Sequence, residues 1–162
     1  MSKIYVDEIL PKDNAKITAA DLQLPAGSVI QVEQDLFSTT YSTTSSSDTS
    51  FRTFTFTPKL ASSKILLRAN FFARVTSSNG YGFAYFLCFV NGTNVWTGYP
   101  IIGSTNGASD LRSPVTFEYL HTTGTTDPIT YEFKFKASYT DGTVYVNSGT
   151  VPSAITVEEI AQ

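Results

Sequence analysis

One histidine, His121, and one cysteine, Cys88, are all the imidazole and thiol that this chain of 162 residues offers. A single subunit therefore cannot assemble the nitrogen and sulfur clusters that hold zinc, copper or iron, and no metal or other cofactor is expected. Three copies of His121 would have to meet on a threefold axis to ligate a metal, and a lone histidine at a strand end is more often solvated or hydrogen-bonded. A serine nucleophile would need His121, an orienting carboxylate such as Asp110 or Asp127, and a serine on a strained turn. No Gly-x-Ser-x-Gly elbow supplies that turn. Glu158 and Glu159 are adjacent on an expected strand, so they point to opposite faces and cannot work as a couple on one glycosidic bond. No glycine-rich phosphate loop occurs either, and Gly80 and Gly82 around Tyr81 read as a turn entering a strand. Cys88 stands in an apolar strand and reads as a small packed hydrophobe; being alone, it can form no internal disulfide. The residues point away from an enzyme.

What remains for function is binding. Trp96, Tyr99 and Tyr81 fall in or beside expected loops, with Asn79, Asn94 and Asp110 as polar neighbours, and Tyr41 lies in a polar tract. Aromatic faces combined with amides and carboxylates are the equipment of carbohydrate sites. The alternative for Trp96 is that it anchors a hairpin to the core, as large aromatics commonly do. Asn91-Gly92-Thr93 fits a glycosylation acceptor, but no secretory leader precedes it and Asn-Gly is a tight-turn signal.

The elements that would carry these residues are strands. Helix formers are scarce, aromatics make up 14% of the chain, and serine and threonine abound. The net charge of −3, with basic residues scattered, excludes a general nucleic-acid binder. No apolar run is long enough to cross a membrane, and Met1 to Leu10 lacks the apolar centre of a signal peptide, so synthesis in a cytoplasm is expected. Regular alternation begins at Ile30, Val32, Gln34 and Leu36. A polar tract from Ser38 to Ser50 reads as a mobile surface loop. Strands are then expected at Phe51–Thr57, Lys64–Val75, Phe83–Asn91, Val95–Tyr99, Pro114–His121, Ile129–Tyr139, Thr143–Asn147 and Ala154–Ile160. Asn91-Gly92 and Asp141-Gly142 predict hairpins. The fold expected is all-β, a jelly-roll sandwich of about 8–9 strands over residues 28–162, with residues 1–27 as a short anchoring segment.

Two of these strands are apolar on both faces. Phe83, Tyr85, Leu87 and Phe89 share one side of a strand whose other side is Ala84, Phe86, Cys88 and Val90, while Leu66 and Phe72 add apolar area to the Lys64–Val75 strand. A two-layer sandwich covers only one face, so a further copy of the chain is expected to cover the other. Phe72, Ala84, Phe86, Cys88 and Val90 are the interface candidates, with the choice of face open. A long loop capping a central strand within one subunit is the alternative. Near the start, Ile4, Val6, Ile9 and Leu10 are too few to form a core but apolar enough to dock on a partner.

Three motifs carry a family resemblance. The opening Met1-Ser2-Lys3-Ile4-Tyr5-Val6-Asp7-Glu8-Ile9 resembles the Lys-x-x-Val-Asp-x-Ile start of small virion proteins of bacteriophages, notably those of marine bacteria. Leu24-Pro25-Ala26-Gly27-Ser28-Val29-Ile30-Gln31-Val32 resembles the junction at which such fibre proteins pass from attachment segment to globular domain. Phe54-Thr55-Phe56-Thr57-Pro58, running on through Ser63-Lys64-Ile65-Leu66, is similar to the family's Thr-Pro-x-x-x-x-Ser-Lys-Ile-Leu strand pair, and Gly142 to Asn147 fits a hairpin of its second half. The resemblance implies a homotrimeric jelly roll similar to tumour necrosis factor and complement-type heads, displayed on a virion assembled in the host cytoplasm. It transfers no catalytic residue. Its expected task is tail-fibre contact with a host surface glycan or protein, docked to other tail or capsid proteins through the first segment. The alternative is capsid decoration or a head fibre stabilising the shell, which the absence of a visible shaft favours; a glycan hydrolase ranks third. Neither nucleic-acid binding nor membrane insertion is implied.

Overall fold

The computed structural model describes residues 24–77, 82–98, 103–104, 109–138, 142–147 and 152–162. These form strands β1 (Val29–Phe37), β2 (Tyr41–Thr43), β3 (Thr49–Phe56), β4 (Lys64–Ser77), β5 (Gly82–Val90), β6 (Thr93–Gly98), β7 (Gly103–Ser104), β8 (Ser109–Thr122), β9 (Ile129–Ala137), β10 (Gly142–Val146) and β11 (Ser153–Ile160). Helix is absent from the described residues. Every ladder is antiparallel: β1 pairs with β11, β3 with β9, β4 with β8 and β5 with β6. That nested pairing, first with last and inward to a central hairpin, is the winding of a jelly roll.

Two sheets result. The five-stranded sheet runs β3-β9-β5-β6 with β7 beside β5. In the six-stranded sheet β4 is the spine. Its whole length pairs with β8 on one side, while the other side is shared end to end by β11, opposite Lys64 to Asn70, and β10, opposite Ala73 to Ser77. The strict alternation of β4, β9 and β11 places one face of each in the core, where Ile65, Leu67, Val75, Phe86, Tyr131, Phe133, Phe135, Ile155 and Val157 are at most 2% exposed. The two open sides of the sandwich are closed differently. Arg52 on β3 reaches Asp35 on β1 at 2.6 Å, and across the molecule Trp96 on β6 packs against Phe117 on β8 with ring centroids 4.8 Å apart.

Several expectations need correction. Asn91-Gly92 does turn β5 into β6, with φ of 48° and 80° as a two-residue hairpin requires. Gly142 does not close a hairpin: β9 belongs to one sheet and β10 to the other, so the chain crosses between layers there. Asp141 itself lies outside the described residues. The serine and threonine tract is laid down in order. Its Tyr41 starts β2, pairs with Val146 and packs 6.0 Å from Phe51, while Thr43 and Ser45 cap the amides of Ser45 and Ser47. A single half-buried aromatic is enough to dock it.

A buried carboxylate ties the first strand, the last strand and the segment before β4. Glu159 is fully buried and takes hydrogen bonds from the amides of Lys59 and Leu60 (both 2.9 Å), the Ser63 hydroxyl (2.7 Å) and the Gln31 side chain (2.7 Å). Four neutral donors replace the water this anion loses, which is what makes its burial tolerable. Its neighbour Glu158 faces outward, as the strand period requires.

Candidate functional site

The face of β5 with Ala84, Phe86 and Cys88 is at most 1% exposed and lies in the core between the sheets, with Val90 packed against its margin. These residues are covered within one chain, so this face, one of the two that the strand period left open, is not an interface. The opposite face of β5 is also covered from within. Leu87, 4% exposed, sits between Lys134 on β9 and Thr97 on β6, and Lys134 and Lys136 lie over the rings of Phe89 and Tyr85 at 4.3 and 6.0 Å. The lysine stems supply apolar cover and their ammonium groups meet the ring faces. Burial drives the Cys88 thiol up to about 12, which leaves it unreactive.

The outer face of the six-stranded sheet is finished differently. Its side chains stand in rows across β1, β11, β4 and β8. One row is Val32, Glu158, Leu66 and Leu120; the next is Gln34, Thr156, Arg68 and Glu118; the third is Leu36, Ala154, Asn70 and Thr116. Val29, opposite Ile160, borders the first row. Val29, Val32, Leu36 and Leu120 are between 52% and 62% exposed. The middle row is polar and knit together. Arg68 bonds Glu118 at 2.7 Å and also Glu158, and Gln34 donates to Thr156 at 3.1 Å.

Farther along β4, Phe72 stands opposite Pro114 and Arg74 opposite Arg112. Phe72, the remaining interface candidate, is half-buried on this outer face. Where β4 passes from β11 to β10, Asn147 adopts a left-handed φ of 59°, fills the break with bonds to the carbonyls of Phe72 (2.8 Å) and Phe37 (3.0 Å), and leads the chain out of the ladder. A notch of about 250 Å³ opens at that seam, lined by Asn70, Phe71, Phe72, Pro114, Pro152 and Ala154. Above it Arg74 holds Asp110 with bonds of 2.8 and 2.9 Å, and Arg112 approaches the same carboxylate at 3.3 Å. The guanidinium of Arg74, helped by Arg112, brings the Asp110 carboxyl down to about 2.

Of the binding candidates read from sequence, Trp96 is half-buried against Phe117, so the hairpin-anchor alternative holds for it. Asn94 is exposed but occupied locally, bonding the Trp96 amide and the Thr97 hydroxyl, both at 3.0 Å. Asp110 is engaged by the two arginines. Tyr81, Tyr99 and Asn79, with the docking candidates Ile4, Val6, Ile9 and Leu10, lie outside the described residues. His121 bonds the Tyr131 hydroxyl at 2.8 Å, and burial lowers its pKa, so it is a packed neutral side chain beside Tyr119. Arg68, Asn70, Pro114 and Pro152 were not singled out from sequence as site residues; the cross-strand register brings the first three together, and Pro152 joins them as the residue before β11.

No protein-family model matches the chain, and no curated protein does. Solved structures show distant likeness. Dimeric latent PorU from Porphyromonas gingivalis is 13% identical with a TM-score of 0.44, over 85% of this chain and 14% of that one. The infectious bursal disease virus VP2 subviral particle is 13% identical with a TM-score of 0.41, over 83% of this chain and 38% of that one. The T=1 particles derived from the same virus are 12% identical with a TM-score of 0.42, over 96% of this chain and 41% of that one. This chain thus spans less than half of each, and likeness at this level carries no argument about function.

Proposed function

We propose that this chain is a bacteriophage virion structural protein whose jelly roll is a trimerising head. The observation that carries the reading is the outer face of the six-stranded sheet, where Leu120 stands beside Leu66, Val32 follows across Glu158, and Leu120 and Val32 are more than half exposed. Large apolar side chains left exposed together on one sheet face mark a contact with another protein surface. Repetition of the chain on a virion makes another copy the natural partner. The sequence motifs shared with phage virion proteins supply the setting. Residues 1–27 dock the head on tail or capsid proteins through Ile4, Val6, Ile9 and Leu10. The end of the roll away from that segment, toward Ser77 and Ser109, faces the host surface.

Sedimentation equilibrium of the purified protein at micromolar concentration tests the first part, and a trimer is the expected mass. Electron density of the particle tests the second. Trimers at the tip of the tail fit host contact, whereas trimers seated across the shell would assign capsid decoration instead.

A further inference from the structure

We propose that the notch at the seam of the six-stranded sheet is a binding site for one acidic pyranose ring, a uronic acid or similar carboxylated sugar of a surface polysaccharide. The proposal rests on the host-contact reading above and gives it a ligand class. Three features of the notch decide the chemistry. The first is size and lining: about 250 Å³ bounded by Phe72, two proline rings and Ala154 accommodates one ring laid flat on apolar surface, as the C–H face of a sugar requires. The second is a single polar group. The Asn70 side-chain amide stands at the rim with no hydrogen-bond partner among the described residues, and it offers both a donor and an acceptor to ring hydroxyls.

The third feature is positive charge on one side only. Below the notch Arg68 is shared by two carboxylates, Glu118 and Glu158, which leaves that flank negative. Above it one carboxylate, Asp110, is shared by two arginines, which leaves that flank positive. Arg74 takes the closer bidentate geometry, so Arg112 is the guanidinium left over. Its side chain is 49% exposed, and it points from the same face of β8 as Pro114, about 7 Å along the strand. A ring seated on Phe72 with its carboxylate toward Arg112 satisfies all three features, since guanidinium recognises carboxylate with paired hydrogen bonds. A neutral hexose uses only two of them. The notch also lies some six residues along β8 from Leu120, so the self-association row leaves it open.

The test is a titration of the isotope-labelled trimer with sodium glucuronate, glucose and sodium acetate as separate probes, read by backbone amide shifts. Glucuronate should shift Asn70, Phe72, Arg112 and Ala154 and bind roughly tenfold more tightly than glucose, the difference one charge-assisted pair supplies. Acetate alone should not shift the notch. Arg112→Gln, a change at an exposed side chain, should erase the preference for glucuronate and leave glucose unaffected, while Asn70→Ala should weaken both sugars. Equal affinity for glucose and glucuronate, shifts scattered away from the seam, or an Arg112→Gln protein that still prefers glucuronate would each overturn the site. Virions that adsorb through this protein although it ignores glucuronate would reject the ligand and keep the host-contact reading. Binding at the notch, with normal adsorption by virions lacking the chain, would keep the site and reject host contact.

Discussion

On the outer face of the five-stranded sheet, Tyr85, Leu87 and Phe89 stand beside Lys134 and Lys136; on the outer face of the six-stranded sheet, Leu120 stands beside Leu66, and Val32 beside Glu158. The first group is half-buried or better, while Val32 and Leu120 are more than half exposed. Strand position explains the difference. β5 runs between β9 and β6, so a lysine stem can lie across it from a neighbour, whereas β1 and β8 are edge strands of their sheet with a neighbour on one side only. An outward apolar side chain in mid-sheet is finished by its own chain, and one on an edge is left exposed.

The strongest way to break this comparison is to charge the interior. Phe86→Asp places an unpaired carboxylate in the core and should cost more than about 4 kcal/mol, enough to lose the cooperative thermal transition in circular dichroism. If the protein instead stayed folded and only dissociated, Phe86 would be an interface residue after all. The next largest effect belongs to the exposed row. Leu120→Asp should convert trimers to monomers at micromolar concentration by light scattering while the monomer remains folded, and an unchanged mass would remove the six-stranded face from the assembly.

Lys134→Ala tests the opposite face. It strips the cover from Leu87 and Phe89, and should lower stability by about 1 kcal/mol in urea unfolding with no change in mass. A drop in mass would show that both faces serve assembly. The smallest effect sharpens the charge asymmetry around the notch. With a folded pKa depressed to about 2, the Asp110 pairing contributes above the ordinary carboxylate value near 4 and is lost as pH falls toward 2. Carboxyl shifts followed by pH should place its midpoint there, and Arg74→Gln should move it upward; a midpoint near 4 in the unaltered protein would mean that Asp110 is not held between two arginines.

Strand positions were legible because period-2 alternation survives in β4, β9 and β11, and Asn91-Gly92 because its backbone needs positive φ twice. Three features were not. The two-faced pattern of β5 was read as exposed area because periodicity along one strand cannot see a lysine reaching over from the next. Tyr41 was read as a sugar-stacking candidate in a loop because one aromatic in a run of hydroxyl side chains makes no core pattern, although its ring fits between Phe37 and Phe51. The notch was invisible for a different reason. It exists because β10 and β11 share one edge of β4, and nothing local marks where two strands meet end to end. Similarly, Ser63 of the Thr-Pro-x-x-x-x-Ser motif was legible as a motif, but its job became plain only when Glu159, 96 residues away, was seen to receive its hydroxyl.

β1 hydrogen-bonds within its sheet to β11 alone, so the first strand of the roll finds its place only against the last, and the Gln31–Glu159 bond spans 128 residues. Such a ladder gives the chain a high contact order, and the loop-closure entropy falls due before most native pairs form. During vectorial synthesis β1 emerges early and must wait, with Val29, Val32 and Leu36 on an unpaired edge, until β11 has cleared the ribosome. The molecule is therefore most vulnerable to off-pathway strand pairing between nascent chains, and its yield on refolding should fall steeply with concentration even though the finished roll is tightly closed.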